Sequence, residues 1–167
     1  DQIGGIPDVL GPWQLDWLRA AGLKPSDTLL DLGCGTLRLG LHALTYLTPG
    51  NYTGVDPGEG LLADGRALAS EAGTLARAHA IENLMWLDAR PALSVDFVMT
   101  QSVINHLDAA GVEITARRVA HHLSSDGVWL GTAAFDDTLT GLSPGAAHPD
   151  RPHECLHARM HFEWFAG

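Results

Sequence analysis

The run Leu29-Leu30-Asp31-Leu32-Gly33-Cys34-Gly35-Thr36-Leu37-Arg38-Leu39-Gly40 restricts the fold of this chain more than any other stretch. An apolar run through residues 28–30 reaches a carboxylate, turns through two glycines and opens into an amphipathic run, which reads as strand, tight turn, helix. That is the first unit of an open α/β sheet. Gly33 and Gly35 allow positive φ and close approach of a ligand to the main chain, and the following helix start offers unpaired N–H groups.

The residues around the glycines narrow the ligand. A dinucleotide fingerprint, G-x-G-x-x-G, fails because Arg38 stands at the third glycine position. Asp31 just before the turn would repel a pyrophosphate and favour a ligand bearing an ammonium or sulfonium charge. The stretch resembles motif I of the class I S-adenosylmethionine-dependent methyltransferases, D-x-G-x-G-x-G, with Asp31, Gly33 and Gly35 in place and Leu37 where the last glycine stands.

Size and charge limit the alternatives. A chain of 167 residues, 46% of them hydrophobic, suits one domain with a core on both sides of a sheet. Ten basic against twenty acidic residues, a net charge of -10, argue against a nucleic-acid partner. Cys34 and Cys155 form neither a disulfide framework nor a C-x-x-C pair, which fits a reducing, cytoplasmic setting. No apolar run reaches the roughly 20 residues that span a bilayer, so no membrane partner is expected.

Taken in order, residues 12–21 form a helix, with Trp13, Trp17, Leu18 and Ala21 at helical spacing. Residues 37–47 form the helix after the turn, and Tyr52-Thr53-Gly54-Val55 a second strand ending on Asp56. A carboxylate about 20 residues beyond a glycine turn, at the end of the next strand, can accept from both ribose hydroxyls; it can also cap the next helix. A helix from Leu61 to about Ala80 follows, then a third strand over 83–87 ending on Asp88-Ala89. Asp96 to Thr100 reads as a buried fourth strand leading into Gln101-Ser102, and residues 109–123 form a helix with Asp108 as its N-cap. A turn at 124–127 precedes a fifth strand over 128–133.

This alternation predicts a Rossmann-like, doubly wound, mostly parallel sheet with helices on both faces. The single domain 1–167 divides into a cofactor-binding core, 12–134, and a lid or substrate region, 135–167. Against the resemblance, the C-terminal antiparallel strand pair is expected to be missing or truncated. The resemblance further implies S-adenosyl-L-methionine as cofactor, with contacts from Asp31, Gly33, Cys34, Gly35, Asp56, Pro57, Leu61, Asp88, Ala89, Gln101 and Ser102. In it, Asp88 meets the adenine amino group, and the loop after the fourth strand borders both cofactor and substrate.

His153-Glu154-Cys155-Leu156-His157 matches H-E-x-x-H, in which two histidines one helical turn apart bind zinc. His161 falls short of the third ligand position of the longer metalloprotease pattern, and a chain with nine histidines produces such a match readily. No metal is expected. The activity expected is methyl transfer from S-adenosylmethionine to oxygen or nitrogen of a small molecule; the alternatives are a non-catalytic cofactor-binding protein and, further off, a zinc metallohydrolase. A hydroxyl or phenol acceptor must lose a proton, and His106, just after the fourth strand, is the expected base.

Overall fold

The computed structural model describes residues 7–132 and the backbone of three short strands beyond them, with side chains described over 9–132. Five strands make one parallel sheet: β1 Leu29–Leu32, β2 Tyr52–Val55, β3 Ala78–Glu82, β4 Val95–Thr100 and β5 Leu123–Gly131. Their order is β3-β2-β1-β4-β5, so the direction of winding reverses between β1 and β4. Ligands of such sheets bind outside the carboxyl ends of the strands at that reversal.

Two cores follow from the period-2 alternation of strands buried on both faces. Leu29, Tyr52, Phe97 and Met99 face one side, where they pack with Leu18, Leu37, Leu44 and Leu62. These last come from α1 (Pro7–Ala20), the glycine turn, α2 (Gly40–Tyr46) and α3 (Glu59–Glu71). Leu30, Leu32, Val55 and Val98 face the other side, against Leu87 and Val119. There the covering helices are α4 (Leu84–Asp88) and α5 (Ala109–His122), α5 capped by the Asp108 side chain as expected.

Four boundaries differ from expectation. α1 starts at Pro7 rather than 12, and its inward face is Gly11, Gln14 and Leu18. Trp13 is 48% exposed and stacks on Trp17 at 5.7 Å between ring centroids. α2 begins at Gly40, three residues late, because residues 33–39 continue the turn. α3 stops at Glu71, and Gly73, at φ +69°, turns the chain before β3. The largest change is at 84–88, which is helix, while the third strand lies at 78–82. Asn83 caps that helix by accepting from the Trp86 N–H at 3.0 Å, and a five-residue apolar run alone cannot distinguish strand from helix.

The turn expected at 124–127 survives as an irregularity inside β5: Leu123 pairs with Val95, yet Val128 pairs with Phe97. Beyond the sheet, β6 (Phe135–Asp136), β8 (Arg151–Ala158) and β7 (Ala146–His148) form a separate sheet in that order. The antiparallel pair here, β7 with β8, is thus outside the parallel sheet. β8 lies against the short 3-10 turn Ile104–His106 that follows β4. The rest of 135–167 lies outside the described residues.

α5 ends in a pH-sensitive contact. His122 is 1% exposed, and its Nδ1 accepts from the Leu93 N–H at 3.3 Å. Burial, with the neighbouring His121, holds its pKa below the ordinary 6.5. The folded chain therefore binds this proton less readily than the unfolded one. Its contribution to stability is full above about pH 6.5 and declines as the pH falls below that toward the folded value. His122→Asn keeps an acceptor without the titration. The stability difference between wild type and variant should shrink as the pH falls from about 7 to about 5, read from denaturant midpoints.

Candidate active site

At the carboxyl end of β1 the chain makes the expected turn. Gly33 and Gly35 have φ of +86° and +53°, and the Gly33 and Cys34 N–H groups donate to the Val55 carbonyl at 2.7 and 3.0 Å. Leu37, in place of a third glycine, keeps a glycine-like φ of +63° and is fully buried. Its side chain occupies space left by two other glycines: a Cβ on Gly65 would lie 2.9 Å from Leu37 Cγ, and one on Gly40 would lie 3.0 Å from Leu37 Cβ. The left-handed conformation costs a non-glycine residue about 1–2 kcal/mol, which the burial of an isobutyl group offsets.

Asp56, at the end of β2, ties the turn to the next loop. It is 7% exposed; Oδ2 accepts from the Gly35 N–H at 2.9 Å and Oδ1 from the Gly58 N–H at 2.8 Å. The second bond reaches Gly58, the N-cap residue of α3, and the helix start itself takes no side-chain cap, so Asp56 does not cap α3. A carboxylate offers about four acceptor positions, which leaves one on each oxygen for a hydroxyl pair. Pro57 is exposed beside it, and half-buried Leu61 folds back over Gly58, where an added Cβ would lie 3.1 Å from Leu61 Cδ1.

Asp31 lies beneath this turn on the α1–α3 face of the sheet, 3% exposed, accepting from the Tyr52 hydroxyl at 2.8 Å. Burial raises its pKa from 3.8 to about 7; nearby Asp56 adds to the rise, while Tyr52 and Arg38 oppose it. Because the folded pKa is raised, the folded chain holds this proton more tightly than the unfolded one. That advantage is full below about pH 3.8 and is lost as the pH rises through about 7. Asp31→Asn keeps the Tyr52 hydrogen bond and removes the cost of a buried charge. It should therefore stabilise the free protein by about 1–3 kcal/mol near pH 8, a rise in Tm of several degrees by calorimetry.

The loop after β4 closes the other side. Val103 sits on the glycine turn, 2.3 Å from where a Gly33 Cβ would be, so glycine is required there by contact as well as by φ. Ser102, at φ +57°, donates its N–H to Thr132 Oγ1 at 2.8 Å. Gln101 donates to Ser102 Oγ at 3.1 Å, while its buried Oε1 has no protein partner. His106 ends the same loop and is exposed.

Asp31, Gly33, Cys34, Gly35, Asp56, Pro57 and Leu61 are thus brought together at the carboxyl ends of β1 and β2, with Gln101 and Ser102 at the end of β4. Asp88 and Ala89 are not among them. α4 runs from the carboxyl edge back toward the start of β4, so its last residue, Asp88, lies at the opposite edge of the sheet. There its carboxylate takes a two-pronged bond from Arg118, at 2.6 and 2.9 Å, which lowers its pKa. The end of the true third strand is Glu82-Asn83. The Glu82 carbonyl accepts from the Asp56 N–H at 3.2 Å, and Asn83 Nδ2 donates to Glu59 Oε1 at 2.7 Å. Sequence reading missed both Asn83 and Tyr52; an Asn-x-x-Trp cap signal was available for the first.

The H-E-x-x-H segment, 153–157, lies in strand β8 rather than a helix. Residues four apart in a strand are about 13 Å apart, so the one-turn spacing that a helical zinc site needs is not formed. Their side chains, and His161, lie outside the described residues. Among the described residues no helix is long and apolar enough to cross a membrane.

The family described as "Methyltransferase domain" matches residues 30–129, and the chain belongs to it. Solved structures share the fold at low identity. The YcgJ protein of Bacillus subtilis superposes with a TM-score of 0.61 at 22% identity, over 72% of this chain and 50% of that one. Geranyl diphosphate methyltransferase in complex with SAM gives 0.58 at 21%, over 73% and 47%. Coclaurine N-methyltransferase bound to N-methylheliamine and SAH gives 0.61 at 19%, over 78% and 38%. The chain spans half or less of the length of these proteins. No curated protein matches the sequence.

Proposed function

We propose that this protein is an enzyme that binds S-adenosyl-L-methionine and transfers its methyl group to oxygen or nitrogen of a small molecule. The observation that carries the reading is Asp56. It is a nearly buried carboxylate at the carboxyl end of β2, beside the strand β1 at which the order reverses, bonded to the glycine turn and leaving one acceptor position on each oxygen. The residues present fit the cofactor. Asp56 would hold the ribose hydroxyls, the 33–35 turn its neighbouring atoms, and Asn83 takes over the adenine contact expected of Asp88. Gln101 Oε1 offers a buried acceptor in need of a donor.

The bound cofactor supplies a methyl group made electrophilic by a sulfonium sulfur. The chain then has to orient the acceptor and take its proton. The described histidines outside the 101–107 loop are badly placed for this. His42 lies under α1, where a Gly11 Cβ would come within 2.5 Å of it. His79 starts β3, while His121 and His122 end α5, all toward the opposite edge of the sheet. His106 alone among them follows the carboxyl end of a strand, and we assign it as the base. The acidic chain and the small-molecule ligands of its structural relatives support a small-molecule acceptor rather than nucleic acid. The free Cys34 thiol suits the cytoplasm.

The test is incubation with methyl-labelled S-adenosylmethionine and a panel of phenols, alcohols and amines. Label moving to an acceptor is the expected result. Tight cofactor binding with no transfer to any acceptor would instead make the protein a non-catalytic binder.

A further inference from the structure

Tyr52 opens β2 at 1% exposure and would pass for a core aromatic. Its hydroxyl has a built environment. It donates to Asp31 Oδ2 across the sheet, and two glycines make its slot: a Cβ on Gly40 would lie 2.5 Å from the hydroxyl oxygen, and one on Gly54 3.0 Å from it. Gly54 is the strand partner of Asp31, so the residue facing the carboxylate on β2 has no side chain and the phenol of Tyr52 reaches past it. Gly40, the first residue of α2, closes the slot from the helix side.

We propose that Tyr52 is a positioning residue of the methyl-donor site: its hydroxyl fixes Asp31 beneath the glycine turn, where the ionised carboxylate answers the positive charge at the sulfonium end of the donor. The inference rests on the S-adenosylmethionine reading of that site and adds a residue to it. The groups facing Asp31 are Tyr52 and Asp56 from β2 and its end, and Cys34 and Arg38 from the turn; β4 places Met99 beside it. Burial and Asp56 favour the neutral acid, while the Tyr52 hydrogen bond and Arg38 favour the charge. In such a balance one donated hydrogen bond decides how much carboxylate exists near neutrality. A cation brought close then binds better as the acid ionises.

S-adenosylhomocysteine, which lacks the methyl group and its sulfonium charge, separates charge from shape. Calorimetric titration of both ligands from about pH 6 to about pH 9 should show the affinity for S-adenosylmethionine rising through neutrality and that for the homocysteine product nearly flat. Tyr52→Phe keeps the ring in place. It should weaken S-adenosylmethionine roughly tenfold near pH 7, displace the rise to higher pH, and change the product by less than about threefold. In an Asp31→Asn background the same substitution should change S-adenosylmethionine binding by less than about twofold. Equal losses for both ligands, or an equal loss in the two backgrounds, would make Tyr52 a packing residue and overturn the proposal. Parallel wild-type pH profiles for the two ligands would do so without any variant. Failure of wild-type protein to bind either ligand overturns the function reading itself, and the role of Tyr52 with it.

Discussion

Replacing His106 by alanine is expected to lower kcat by about 10²–10⁴ with a hydroxyl or phenol acceptor, while affinity for S-adenosylmethionine stays within about twofold. The split follows from position. His106 ends the turn that follows β4, three residues beyond the Val103 that covers Gly33, whereas the side-chain bonds that hold the Gly35 and Gly58 N–H groups come from Asp56. Proton removal belongs to the chemical step, so its loss falls on kcat rather than on binding. Near-normal turnover by the variant would remove the base from this loop. β8, which carries His153 and His157 in sequence and lies against the same turn, would be the next place to look.

Asp56→Ala should weaken S-adenosylmethionine by about 2–4 kcal/mol, roughly thirtyfold to a thousandfold, and its demethylated product equally. Two losses combine. The ribose hydroxyls forfeit a charged acceptor, and the Gly35 and Gly58 N–H groups are released from the bonds that shape the turn. Equality between the two ligands distinguishes Asp56 from Asp31, whose effect depends on the sulfonium charge. Asp56→Asn, which retains one carbonyl acceptor, should recover part of the loss. Unchanged affinity in Asp56→Ala would place the nucleotide elsewhere.

The glycine turn, Asp31, Asp56 and the strand before each could be read from the sequence because their signals are local: a buried apolar run, a carboxylate, then residues that permit positive φ. Leu37 broke that pattern in sequence yet not in space, since it adopts the missing glycine's φ and lodges against Gly40 and Gly65. The third strand was hidden for a physical reason. As an edge strand it is only half buried and is built from Ala78, His79 and Ala80, whereas the more apolar 84–88 run is a helix with Met85 78% exposed. That misplacement moved the expected end of the strand from Glu82-Asn83 to Asp88, which lies across the sheet on an arginine. Tyr52 was illegible for another cause: what marks it is the absence of side chains at Gly40 and Gly54, which only the folded chain brings together.

The central claim is that the glycine turn Gly33–Gly35 and Asp56 hold S-adenosylmethionine. Titration calorimetry of the wild-type protein with S-adenosylmethionine, its demethylated product, ATP and NAD tests it most directly. The account predicts one site per chain for the first two, abolished or strongly weakened by Asp56→Ala, and no saturable binding of ATP or NAD. Binding of ATP or NAD in preference, or S-adenosylmethionine binding indifferent to Asp56, would contradict it.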